Sequence, residues 1–168
     1  MSNWIKFTHN NLESFGIVSG NEVMIYEGDM FDSPHKTEKK LDIRDVILIN
    51  PCSPTKMIAL WNNYQSLADD KGLSKPKNPL YLNKAISSII EQGENIIRPK
   101  SYEESIFFEG ELGIVIGKKC KDVSVDEASR YIFGYTCIND VTAMDLVKQD
   151  PSFDPVSYTH LRAHETRL

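Results

Sequence analysis

In the largely apolar run Phe-Phe-Glu-Gly-Glu-Leu-Gly-Ile-Val-Ile-Gly at residues 107–117, two glutamates stand two positions apart, on the same phase of a strand. Neighbouring side chains of a strand point to opposite faces, so Glu109 and Glu111 project with Phe107, Gly113 and Val115, while Phe108, Leu112, Ile114 and Ile116 point the other way. Shorter pieces upstream predict strands at residues 4–7, 15–18, 22–26 and 46–49, with Gly20 and Gly28 between them. The polar stretch 33–40 reads as a solvated loop. Pro51 and Pro54 mark a boundary, after which strands are predicted at 57–60 and 80–82, the second leading into Lys84. Residues 63–71 predict one or two helical turns before Gly72, and residues 87–99 a loop with short extended pieces.

Two helix starts follow the glutamate strand. Ser124-Val-Asp-Glu127 is a capping box with Ala128, Tyr131 and Ile132 at helical spacing and Gly134 as a stop; Thr142-Ala-Met-Asp145 repeats the pattern after a strand at 135–138. Asp140 therefore lies between a strand end and a helix start, where a carboxylate is held in place near free amides. Joined to Glu109 and Glu111, it would complete an all-oxygen site suited to magnesium, manganese or calcium and unsuited to zinc. Cys137 falls on the strand pattern as a small core residue, and Asp145 has a sufficient role in the cap.

Composition narrows the class. The 168 residues carry 19 basic and 24 acidic side chains, a net charge of −5, which gives no electrostatic footprint for nucleic acid. Three scattered cysteines form no paired spacing and suit a reducing compartment; no apolar run is long enough to span a membrane. A cytoplasmic protein with neither nucleic-acid nor membrane partners is expected. The C-terminal residues 156–168, beginning Val-Ser-Tyr-Thr-His-Leu-Arg-Ala-His-Glu-Thr, resemble a translated sequencing-library adapter and are set aside as a non-native tail. Without them the net charge is −6, and His9 and His35 are the histidines that remain.

The strings Glu-Gly-Glu-Leu-Gly-Ile-Val-Ile-Gly, Val-Ser-Val-Asp-Glu-Ala and Ile-Phe-Gly-Tyr-Thr-Cys-Ile-Asn-Asp-Val-Thr-Ala-x-Asp-Leu together resemble the fumarylacetoacetate hydrolase family. The resemblance implies an α+β, β-rich fold: a small N-terminal β domain over residues 1–55, then residues 56–155 as an incomplete mixed β-roll. Downstream Lys-x-Phe-Asp and Pro-x-Gly-Pro segments of the family do not occur, so the chain is expected to be an N-terminal fragment with exposed strand edges. In the family the two glutamates and the aspartate hold a divalent cation, which implies Glu109, Glu111 and Asp140 as ligands of Mg2+ or Mn2+, with Ca2+ as a further candidate.

The same resemblance implies a small 2-oxo or 2-hydroxy-dienoic acid as substrate, acted on through a metal-stabilised enolate by carbon-carbon hydrolysis, decarboxylation or keto-enol isomerisation, and a homodimer in the intact protein. Lys84 matches the lysine of a Phe-x-Lys-Pro element, with Leu82 and Ala85 in place of phenylalanine and proline, and is expected to pair with a substrate oxygen. The family's His and Glu for water activation are replaced: Leu67 stands for the histidine, and Asp70 is the candidate for the glutamate. Leucine accepts no proton, so hydrolysis is less secure than the metal site. The rival expectations are a non-catalytic relative that keeps the carboxylates for stability or ligand binding, and an inactive fragment.

Overall fold

The computed structural model describes residues 2–149; the tail at 156–168 lies outside them. Among the described residues nine strands dominate, and they fall into two compact units. One unit comprises Met1–Ser53, Ile90–Glu94 and Leu112–Ile138; the other comprises Pro54–Ile89, Asn95–Glu111 and the described part of Asn139–Leu168. The spatial division cuts across the linear one at residue 55.

The first unit is built on an antiparallel sheet of β1 (Asn3–His9), β2 (Leu12–Ser19), β3 (Glu22–Asp29), β4 (Asp32–Asp42) and β5 (Ile47–Ile49), in the order β4-β3-β2-β1-β5. Its connections are local. Asn10 and Asn11 both take positive φ between the paired His9 and Leu12, the backbone that a two-residue hairpin loop matched to strand twist requires. Phe7 and Val23 are fully buried, and the Trp4 ring packs edge-on against Tyr26 at 4.8 Å, with Phe133 at 6.1 Å. Phe133 also meets Phe31 at 4.7 Å.

One prediction fails here. The polar stretch expected to be a loop is the greater part of β4, an edge strand with mostly exposed side chains, whose Lys39 and Lys40 pair with Glu27 and Glu22 on β3. Charge on an exposed edge blocks further strand pairing, so hydrophobic alternation is not needed there.

In the second unit β6 (Met57–Trp61) and β7 (Leu80–Lys84) form an antiparallel pair, with Met57 opposite Lys84 and Ala59 opposite Leu82. Leu82 is the buried centre, packed against Ala59, Trp61 and Met144. Between the strands runs α1 (Gln65–Asp70), with Ala68 buried. The two-stranded sheet of β8 (Gly110–Ile116) and β9 (Ile132–Asn139) is made almost wholly of first-unit residues, and α3 (Met144–Gln149) belongs to the second unit.

Ser124 precedes a single turn, α2 (Val125–Ala128), but its hydroxyl donates to Glu127 Oε2 and caps no backbone amide; a 3-10 turn at Ser129–Tyr131 continues it, and β9 begins at once. Gly134 thus lies within a strand and stops no helix. Cys137 is exposed, contrary to its expected core position.

Candidate functional site

The glutamate strand has an inverted burial. Glu109, Glu111 and Val115 are half-covered and Gly113 is buried, whereas Phe108 is 82% exposed and Leu112, Ile114 and Ile116 are more than half exposed. The face carrying the carboxylates is the one that other residues cover. Gly113 has a steric reason: a Cβ there would lie 2.6 Å from the Ile138 side chain.

Just before β8, Glu109 and Asp140 exchange backbone hydrogen bonds, 3.0 Å from the Glu109 amide to the Asp140 carbonyl and 2.8 Å in return. Phe107 and Thr142 do the same at 2.9 Å in each direction, forming an antiparallel bridge. Directly opposed residues of an antiparallel ladder share a face, and Cα atoms of such a hydrogen-bonded pair stand about 5.5 Å apart. Glu109 and Asp140 are therefore side-by-side carboxylates, with Thr142 diagonal to Glu109.

Like charges in that relation repel. Each is answered by a donor. Lys84, at the end of β7, places its ammonium 2.6 Å from Asp140 Oδ1, with side chains only 4% and 5% exposed. The Thr142 hydroxyl, fully buried, donates to Glu109 Oε1. Thr142 was expected to begin a capping box, but α3 starts two residues later and the hydroxyl serves the glutamate instead.

Glu109 and Glu111 line a pocket of about 140 Å3 whose walls include Leu60, Trp61, Tyr64, Leu67 and Met144. Lys71, which no motif singles out, is the basic side chain of that lining. Leu67 faces this space in the position where the resemblance calls for a histidine. Asp70, proposed as a substitute acid, is exposed on α1 and does not line the pocket. Lys84, expected to meet substrate, is instead buried against Asp140 and is also absent from the lining.

By donor type and backbone placement the three acids suit a hard cation. Their side chains are not gathered: among the described residues no three His, Cys, Asp or Glu groups close on one point. Asp140 directs Oδ1 to Lys84, and Glu109 directs Oε1 to Thr142; each carboxylate has a second oxygen with its own lone pairs.

Residues 56–164 match the model of the fumarylacetoacetate hydrolase C-terminal domain, and residues 3–51 match the Rv2993c-like N-terminal model. The chain belongs to the fumarylacetoacetate hydrolase family. It is 43% identical over 111 residues to an uncharacterized protein of Methanocaldococcus jannaschii, covering 66% of this chain and 46% of that one. Against the mitochondrial oxaloacetate tautomerase fahd-1 of Caenorhabditis elegans it is 38% identical over 91 residues, 54% of this chain and 42% of the other.

The crystal structure of 2-hydroxyhepta-2,4-diene-1,7-dioate isomerase from Mycobacterium marinum superposes with a TM-score of 0.79 at 27% identity, covering 99% of this chain and 62% of that one. The chain spans less than half the length of these two sequence relatives. Among the described residues, no helix is long and apolar enough to cross a membrane.

Proposed function

We propose that this chain belongs to a divalent-cation-dependent enzyme that moves a proton beside the carbonyl of a small 2-oxo or 2-hydroxy-dienoic acid, with tautomerisation or isomerisation favoured over hydrolysis. The observation that carries this is the backbone pairing of Glu109 with Asp140, which sets two carboxylates side by side and leaves each a second oxygen suited to a hard cation. Glu109, Glu111 and Asp140 would hold Mg2+ or Mn2+. Held there, such an ion would supply Lewis-acid stabilisation of the negative charge that develops on an enolate.

The chain's own residues do the rest. Lys84 fixes the orientation of Asp140 through the buried ion pair. Leu60, Trp61, Leu67 and Met144 give the pocket apolar walls against which the carbon chain of such an acid would pack. Leu67 supplies no base, and no histidine lines the pocket among the described residues, which disfavours activation of water and so hydrolysis. The names of the worm tautomerase and the mycobacterial isomerase support this choice of reaction. A cytoplasmic location and a homodimeric full-length protein complete the proposal.

The test is ultraviolet measurement of enol-to-keto conversion of oxaloacetate with Mn2+, using the full-length protein and its Glu111→Gln variant. Acceleration by the unaltered protein that is lost in the variant is the expected result; equal rates in both would refute the assignment.

A further inference from the structure

The hydrogen bond between Thr142 and Glu109 has no counterpart in the sequence motifs, and its surroundings define its role. Thr142 has no exposed surface, and its backbone is fixed by two hydrogen bonds to Phe107. The hydroxyl therefore has a rigid base. It donates to Oε1 of Glu109, a half-covered residue whose backbone is locked in turn to Asp140.

The opposed carboxylates thus have donors of different kinds. Asp140 has an ammonium, which supplies charge; Glu109 has a neutral hydroxyl, which supplies direction with little charge. A glutamate has three rotatable bonds, and a single hydrogen bond from an immobile donor selects among its rotamers. Outer hydrogen bonds of this type orient metal-ligating carboxylates and raise the affinity of the site.

We infer that Thr142 is a positioning residue that holds Glu109 in the orientation in which it binds a divalent cation. The inference rests on the cation site proposed above. It goes further in assigning part of that site's affinity to a hydroxyl that touches neither cation nor substrate.

The test is isothermal titration of the protein with Mn2+, paired with metal-free thermal melts, for the unaltered chain and for Thr142→Val, Thr142→Ser and Thr142→Ala. Valine keeps the volume and removes the hydroxyl. Serine and alanine both lose the methyl group and differ in the hydroxyl alone, so they carry the comparison if the valine variant fails to fold. Affinity that falls about 10- to 100-fold in the valine and alanine variants while the serine variant stays near the unaltered protein supports the inference. Equal affinity in the serine and alanine variants overturns it and leaves the cation site standing. Absence of Mn2+ binding by the unaltered protein overturns the cation site itself, and the inference with it.

Discussion

Glu109 and Asp140 are hydrogen-bonded to each other through their backbones in both directions, and this mutual pairing sets two carboxylates side by side. Strand alternation alone groups Glu109 with Glu111. The pairing brings in the third acid from 31 positions further along the chain, and Lys84 from β7 neutralises it at 2.6 Å.

Removing one partner of the buried ion pair leaves an uncompensated charge, which costs about 3–5 kcal/mol in comparable cases. Lys84→Met is therefore expected to lower stability by that amount in urea unfolding, and the double variant Lys84→Met/Asp140→Leu by much less. A double variant as unstable as the single one would show that the lysine stem, and not its charge, holds this part of the fold.

Gly16 on β2 is buried opposite Ile25, and a Cβ there would lie 2.2 Å from the Met24 carbonyl oxygen. Backbone cannot yield as a side-chain end can. Gly16→Ala is expected to destabilise the N-terminal sheet by about 1–3 kcal/mol, the usual range for overpacking. A thermal melt unchanged from that of the unaltered protein would contradict the close approach.

Arg44 beside Asp42, through side-chain and backbone hydrogen bonds, holds the Asp42 carboxyl well below the usual carboxylate range. A lowered folded value means that its contribution is present above the ordinary carboxylate pKa and is lost as pH falls through the folded one. The pair is on the surface, so the effect is small and screened by salt. Asp42→Asn should lower stability slightly at neutral pH and not at all in strong acid, as followed by denaturant midpoints across pH. The same loss at both extremes would place the interaction outside the carboxylate's charge.

Much of this was legible in the residues. Short apolar pieces between turn residues located the strands of the N-terminal sheet except β4, and strand alternation put Glu109 and Glu111 on one face. β4 escaped because an edge strand exposed along its length has no buried face to impose alternation. The early start of β9 was hidden because Tyr131 and Ile132 fit helical spacing after Ser124, whereas Ile132 and Phe133 enter the strand.

The sense of burial on β8 was hidden as well: period two divides residues between faces and does not say which face is covered. The partners of the acids depend on contacts between residues far apart in sequence. Lys84 looked like a substrate lysine because a motif specifies position and leaves open whether an ammonium turns to a ligand or to an aspartate 56 residues away. Thr142 likewise fitted a helix cap, and only its diagonal relation to Glu109 across the bridge gives its hydroxyl another acceptor.

The most direct measurement of the central claim is thermal unfolding of the protein with and without millimolar Mn2+, beside Glu111→Gln as control. A ligand that binds only the folded state stabilises it by about 2.7 kcal/mol at one hundred times its dissociation constant. The carboxylate site predicts a melting temperature that rises with Mn2+ in the unaltered protein and stays fixed in the variant. No rise, or the same rise in both, would contradict it.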